Sequence, residues 1–431
     1  MWHDDPLPHL RATLEYATAK IPYYRERPAY ARPLESLEEL AALPILDPAD
    51  YVAAPERFAV PGLWPDQISY SSTTTGALGR PRWHLQREID AHAALIGADA
   101  PPEGDDPGPV TLVIHPYDQG GGQRPSGFPR TIYAPFLVPW HYEHILKLLE
   151  EGWRTPLGTR RIEHIDAFSP ALRIYTVWLA QRGIDPAAFG VKALTGYGSI
   201  QPPPWRRRLR RRWGAAYDDL YGLSEVKQSA AAPCPLCGAL HHLGPIVGEV
   251  VDPETRAPID RGVGVLVLTE LYPYAELQLL VRYWTDDLVE LTGPCVLADL
   301  GFRFLGRRSS GVALPRDGDA PAYVGALEVG EAISESADVA LHTFPWAPFA
   351  HDVGAPRFTL RAGETAGSAR VEVELRYSPE LFPRRAAAAC AELRDALLTA
   401  IPRLRARVDA GAASLEVLPR EPGSLAAPTK T

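Results

Sequence analysis

The chain has 431 residues, of which 46% are hydrophobic and 23% charged, with a formal net charge of −9. Single cores stop growing at about 250–300 residues, so this length predicts more than one domain, and the composition is that of an ordinary soluble globular protein. The acidic balance argues against nucleic-acid binding. No apolar run spans a bilayer and no leader peptide opens the chain, so a cytoplasmic protein with neither nucleic acid nor membrane as partner is expected.

Apolar spacing at Leu10, Leu14, Ala17 and Ile21 predicts a helix over 7–27, followed by a short one over 37–43. Ile68-Ser69-Tyr70 and Arg82-Trp83-His84-Leu85 read as strands flanking the loop Ser71-Ser72-Thr73-Thr74-Thr75-Gly76-Ala77-Leu78-Gly79-Arg80-Pro81. A helix over 86–98, a Pro/Gly/Asp loop over 101–108 and a buried strand over 110–114 come next. Helical patterns recur over 140–152, 168–182 and 203–213, and strand patterns over 191–195, 247–251, 264–269 and 279–284. Helices alternate with strands to about residue 230 and the pattern then turns strand-rich, which predicts an α/β domain followed by a β-rich subdomain. The last part reads as strands over 356–361 and 369–376, a helix over 383–402 and a strand near 414–418.

Five consecutive hydroxyl residues running into two glycines and an arginine can turn backbone N–H groups and hydroxyls toward one anion, with a cation beside them. The spacing is not that of a Walker A loop, and a plain Ser/Thr-rich surface loop is the alternative. Four cysteines are too few for a disulfide scaffold in a chain this long. Cys234 and Cys237 form a knuckle-like CxxC, with His241 and His242 close behind and Cys295 further on. Three thiolates and one imidazole, from either histidine, would satisfy a closed tetrahedral zinc site; buried free thiols beside solvated histidines are the alternative. Cys390, on an alanine-rich helix, reads as packing.

Three downstream segments follow the hydroxyl-rich loop in order. They are Tyr217-Asp218-Asp219-Leu220-Tyr221-Gly222-Leu223-Ser224-Glu225, then Leu280-Val281-Arg282-Tyr283-Trp284-Thr285-Asp286-Asp287-Leu288, then Phe304-Leu305-Gly306-Arg307-Arg308. The ordered set resembles the adenylate-forming ligase superfamily. Ile21-Pro22-Tyr23-Tyr24-Arg25 and Leu43-Pro44-Ile45-Leu46 extend the likeness to the phenylacetate–coenzyme A ligase-like branch. The resemblance implies an α/β adenylate-forming ligase fold. A large N-terminal domain over 1–306, of layered sheets and helices, would bind ATP and the acid, and a small mobile α+β C-terminal lid domain would cover 307–431. It implies ATP-dependent activation of a carboxylic acid, aryl in this branch, as an acyl-adenylate with release of pyrophosphate. Transfer to a thiol follows, with coenzyme A as co-substrate. A carrier-protein thiol or an amine as acceptor, or a non-carboxylate acid as substrate, are the nearest alternatives. A non-catalytic nucleotide-binding relative is the alternative of another class. A carrier protein and a homodimer stay open as partners beside the small-molecule acid and ATP.

Carried over residue by residue, the resemblance assigns the β- and γ-phosphates to Ser71, Ser72, Thr73, Thr74, Thr75 and Gly76. The family's glycine after the paired serines is Thr73 here, and no lysine follows the loop, so Arg80 or Arg82 would supply the charge. Glu225, in a turn with Gly222 and Ser224, matches the Mg²⁺-ligating glutamate, and Tyr221 the aromatic set against the nucleotide. Asp287, next to Asp286 but directly before Leu288, matches the ribose-binding aspartate; Arg307 matches the arginine on ribose or phosphate. Gly198 and Ser199 fall where the family binds adenine, with glycines that let backbone approach a flat base. His115, Tyr117 and Tyr197 line the acid pocket, and Lys430 matches the tail lysine that touches carboxylate and α-phosphate. Some members of the branch carry a structural zinc in the Cys234–Cys295 region, which would be held here by Cys234, Cys237, His241 or His242, and Cys295. The chain also departs from the family further on: Ser309 and Ser310 replace the paired acids of the hinge, and the coenzyme A stretch is not recognisable over 312–324. The basic run over 206–212 reads as one helix's solvated face, with docking of an acidic carrier protein or a coenzyme A phosphate as the alternative.

Overall fold

The computed structural model describes residues 5–70, 81–95, 109–115, 131–155, 158–298, 300–342, 353–365 and 367–425. The first expected helix is two, Pro6–Lys20 and Pro22–Arg25. Pro22 lacks the N–H a continuing helix needs and holds Ile21 extended (φ −102°, ψ 121°), so the chain turns and restarts. The second expected helix is the 3-10 segment Glu38–Ala42.

Five parallel strands form one sheet in the spatial order Thr131–Pro135, Val110–His115, Ile162–Phe168, Ala193–Tyr197, Ala216–Asp219. The first strand in the chain lies second in space, so the winding reverses between Val110–His115 and Ile162–Phe168. At such a switch point a crevice opens beyond the carboxyl ends of the strands. Helices Pro139–Glu151, Ser169–Gln181 and Pro203–Trp213 accompany this sheet; Leu172, Tyr175 and Leu179 of the second pack with Leu112, Ile165 and Trp213. Three of these strands were not expected. Thr131–Pro135 is short, and Ile162–Phe168 and Ala216–Asp219 carry acids and a histidine that mask their alternation.

The second sheet is antiparallel, ordered Ala231–Pro233, Leu240–His242, Phe302–Arg307, Tyr283–Leu291, Val263–Glu270, Ile246–Val251. Val263–Glu270 is buried along its whole length. Leu266 and Leu268 join the core built on Leu10, Tyr24 and Phe58, while Val265 and Val267 pack with Trp284 and Tyr323. Each such side chain is worth about 1.5–3 kcal/mol when fully buried, so this strand joins two layers. The strand expected over 279–284 starts instead at Tyr283, because Arg282 sits at φ 51°, outside the extended region.

The C-terminal part holds the sheet Phe358–Ala362, Ser368–Glu374, Ser414–Arg420, its first pair antiparallel and its second parallel. Helices Ala326–Ile333, Pro383–Ala400 and Pro402–Asp409 cover it around Val371, Leu393, Leu397 and Leu415. A Cβ at Gly325 would lie 2.0 Å from Leu305 O, so only glycine lets helix Ala326–Ile333 start against strand Phe302–Arg307. Among the described residues no helix is long and apolar enough to cross a membrane.

Candidate active site

Strands Tyr283–Leu291 and Phe302–Arg307 pair with Asp287 opposite Arg307. A bulge at Asp286 (φ 63°) separates the two acids. Asp286 turns outward and accepts from Ser309 N at 3.3 Å, while Asp287 turns inward and is 1% exposed. Tyr221 donates its hydroxyl to Asp287 Oδ2 at 2.6 Å, and Arg307 Nε lies 3.1 Å from Oδ1 as an ion pair. Arg307 Nη1 donates to Thr285 O at 2.6 Å. Among the described residues no hydrogen bond reaches Asp287 Oδ1, which leaves one buried acceptor oxygen beside a guanidinium. Burial pushes the Asp287 carboxyl up to about 6, against the pull of Arg307. Tyr221 is a core residue, its ring packed 5.5 Å from Phe302 and 5.3 Å from Phe304, so what it offers the site is its hold on Asp287. Glu225 is half-buried and its charge acts on Asp287, Arg307 and Tyr51; Gly222 and Ser224 are exposed on the same turn.

Residues 71–76, and Arg80, lie outside the described residues; the strands on either side of them do not. Strands Gln67–Tyr70 and Pro81–His84 pair across the loop, and Tyr51 donates its hydroxyl to Pro81 O at 2.6 Å. Arg82 is not a free cation. It is fully buried and its Nη2 meets Glu270 Oε1 at 2.6 Å, so the sequence expectation that it could neutralise phosphate is corrected. Glu270 also accepts from Lys227 N at 2.5 Å, and Lys227 Nζ meets Glu88 Oε2 at 2.7 Å, again with both partners buried. This network ties the strand leaving the hydroxyl-rich loop to the turn that carries Glu225. Sequence reasoning missed Glu88, Lys227 and Glu270; their one signal is that Lys227 stands two residues after Glu225.

At the switch point of the parallel sheet, His115 ends its strand and stacks on Tyr197, with ring centroids 5.8 Å apart and planes 14° apart. Phe168 ends the neighbouring strand 6.3 Å from His115. Tyr197 donates to Ile114 O at 3.3 Å, and burial raises its hydroxyl pKa. Gly198 follows at φ 78°, where a Cβ would sit 2.7 Å from the Phe168 ring, so its backbone lies against the crevice wall with Ser199 next. Tyr117 and Lys430 lie outside the described residues. The structure therefore groups His115, Tyr197, Gly198 and Ser199 at one crevice and Tyr221, Glu225, Asp287 and Arg307 at one cluster.

Cys234, Cys237, His241 and Cys295 bring four ligand atoms within 4.8 Å of one another. Cys237 Sγ is 3.2 Å from His241 Nε2, and Cys234 Sγ is 3.9 Å from Cys295 Sγ. Zinc–sulfur bonds of about 2.3 Å give tetrahedron edges of about 3.8 Å, so the donor set fits that ion. His241 Nδ1 meets Leu300 O at 2.8 Å, the outer contact that orients a ligating imidazole. His242 points away, to Ser229 O, because successive strand residues face opposite sides; burial pulls its pKa down to about 4.

No protein-family model matches the chain, and no curated protein matches its sequence. Solved structures do match in fold. 2-Hydroxyisobutyryl-CoA ligase, in an open conformation with 2-HIB-AMP and CoA, aligns with TM-score 0.65 and 18% identity over 98% of this chain and 88% of that one. The same ligase in its postadenylation state with R3-HIB-AMP gives 0.64 and 17% over 99% and 87%. Its thioesterification state gives 0.56 and 19% over 99% and 87%. The chain thus has the α/β fold of an acyl-CoA ligase, with a large N-terminal and a small C-terminal part.

Proposed function

We propose that the chain is an AMP-forming acid–thiol ligase. The observation that carries this reading is the Tyr221–Asp287–Arg307 group: a buried carboxylate oriented by a tyrosine hydroxyl, with one oxygen open to a diol and a guanidinium beside it. Ribose hydroxyls are donors suited to that oxygen. Glu225, on the next turn, would hold Mg²⁺, a hard cation that takes one or two carboxylates plus phosphate oxygens and neutralises charge on the leaving pyrophosphate. Residues 71–76 would cradle the β- and γ-phosphates, and Lys430 would meet the acid's carboxylate.

In the first half-reaction a carboxylate oxygen attacks the α-phosphorus and pyrophosphate leaves. In the second a thiolate attacks the acyl carbon and AMP leaves with that oxygen. Coenzyme A is the proposed acceptor and an aryl acid the proposed substrate, seated in the His115–Tyr197 crevice. The phenylacetate–coenzyme A ligase-like branch is supported by the ordered motifs and by the cysteine cluster, with zinc held by Cys234, Cys237, His241 and Cys295. The free thiols of that set suit a reducing, cytoplasmic setting. The proposed change from adenylating domain to lid is at 306/307, at the last residue of strand Phe302–Arg307.

Pyrophosphate release with ATP and Mg²⁺ over a panel of aryl and hydroxy acids, with and without coenzyme A, tests the reading. Release that requires one acid class supports it; ATP binding without release for any acid contradicts it. Metal analysis of the purified chain is expected to give about one equivalent of zinc.

A further inference from the structure

The basic run over 206–212 has no part in the reading above, yet the structure puts it to use. On helix Pro203–Trp213, Leu209 and Trp213 face the core, and Arg210 Nη2 donates to Tyr217 O at 2.8 Å. The three arginines at the start of the run meet the C-terminal part. Arg206 Nη2 is 3.7 Å from Glu331 Oε1, and Arg207 and Arg208 lie 3.9 and 3.5 Å from Glu335. Glu328 and Glu331 are three residues apart and share one face of helix Ala326–Ile333, and Glu335 lies in the turn just beyond its end. Glu328 meets Arg303 at 2.9 Å and also Arg403. Nearby, Val353 is 3% exposed within the core of the parallel sheet, and Arg173 Nη1 donates to Gly354 O at 3.4 Å.

Arg206 also reaches the crevice wall. Its Nε lies 2.9 Å from Asp219 Oδ2, at the carboxyl end of the last parallel strand. Asp219 Oδ1 accepts from Tyr217 OH at 2.5 Å and from Gln201 N at 3.2 Å. Gln201 Nε2 donates to Ser169 O at 2.6 Å, and Ser169 Oγ donates to Tyr197 O at 3.2 Å. Arg206 Nε also donates to Gln201 O at 2.8 Å, so one run of hydrogen bonds leads from the guanidinium through Gln201 and Ser169 to Tyr197.

We propose that Arg206 is a positioning residue that holds the C-terminal part in this pose and registers the pose at the crevice wall, through Glu331 on one side and Asp219 on the other. Asp219 is buried and lies 2.9 Å from the guanidinium, so that arm is kept. The Glu331 arm is longer and partly solvated, and pairs of that kind contribute about 0–1 kcal/mol, so it can be released without unfolding either side. The link to Tyr197 rests on the site reading above; the hold on the C-terminal part does not.

Hydrogen exchange and small-angle scattering on the full chain test this with Glu331→Lys, Arg206→Met and the conservative Arg206→Lys. Glu331→Lys leaves Arg206–Asp219 in place, so it reports even where Arg206→Met fails to fold. Glu331→Lys is expected to speed amide exchange over 326–335 by about fivefold, equivalent to about 1 kcal/mol, and to lengthen the particle, with exchange over Val263–Glu270 unchanged. The kcat for acid-dependent pyrophosphate release is expected to fall at constant KM for ATP, and Arg206→Lys to behave as the parent chain. Unchanged exchange over 326–335 in Glu331→Lys overturns the proposal. Faster exchange with unaltered kcat overturns its link to the crevice. A parent chain without turnover defeats the functional reading alone, and the exchange result still decides the hold.

Discussion

Two sets of ion pairs flank the candidate site, and burial separates them. Beneath the hydroxyl-rich loop, Arg82–Glu270 and Lys227–Glu88 have side chains at most 1% exposed and contacts of 2.6 and 2.7 Å. Toward the C-terminal part, Arg207 and Arg208 reach Glu335 at 3.9 and 3.5 Å, with every side chain 47% or more exposed. Removing one partner of a buried pair leaves an uncompensated charge and costs about 3–5 kcal/mol, whereas an exposed pair contributes about 0–1 kcal/mol. The first set is a fixed frame for the loop and for the Glu225 turn. The second can form and part in water.

That contrast can be broken at several points. Glu270→Ala should have the largest effect, a loss of about 3–5 kcal/mol in denaturant unfolding, since it strands Arg82 in the core. Stability within about 1 kcal/mol of the parent would mean the buried network is no frame. Glu225→Ala stands between the two sets and should leave stability unchanged while cutting pyrophosphate release about 10²–10³-fold, the scale of losing one electrostatic stabiliser. A matching drop in thermal midpoint would make it part of the frame instead.

Tyr221→Phe should raise the KM for ATP about tenfold, the order expected for a hydrogen bond to a charged group. The pH profile sharpens this. Burial holds the Asp287 carboxyl near 6, so it loses its charge as pH falls through that value, and the KM for ATP should climb there. Without the Tyr221 donor the carboxyl rises further, and the climb should begin at higher pH. A flat profile between pH 5 and 8 would remove Asp287 from the nucleotide site. Glu335→Gln should do least, changing stability by no more than about 0.5 kcal/mol and only at low salt; a salt-independent loss above that would make the pair part of the frame.

The sequence was most legible where one residue type can do one job. A knuckle-spaced cysteine pair, a histidine just behind it and the distant Cys295 come together, and strand alternation selects His241 over His242. Asp287 and Arg307 were legible as motif members, yet the bulge that turns Asp286 out and Asp287 in was not, because it depends on pairing with Val263–Glu270. Strands Ile162–Phe168 and Ala216–Asp219 were hidden by the acids and the histidine that interrupt their alternation. The buried network was illegible for another reason: Arg82 and Glu270, like Lys227 and Glu88, are far apart in the chain and look like ordinary surface charges until the fold removes their water. Arg206 and Glu331 are likewise far apart in the chain, and nothing in the local pattern of either announces the pair.

The central claim is that the acid is activated on AMP and not on phosphate. The most direct measurement follows heavy oxygen from a labelled carboxylate, using an acid that supports turnover with ATP, Mg²⁺ and coenzyme A. Attack on the α-phosphorus followed by thiolysis leaves one labelled oxygen on AMP, and that is the predicted result. Label in inorganic phosphate, with ADP formed in place of AMP, would contradict it.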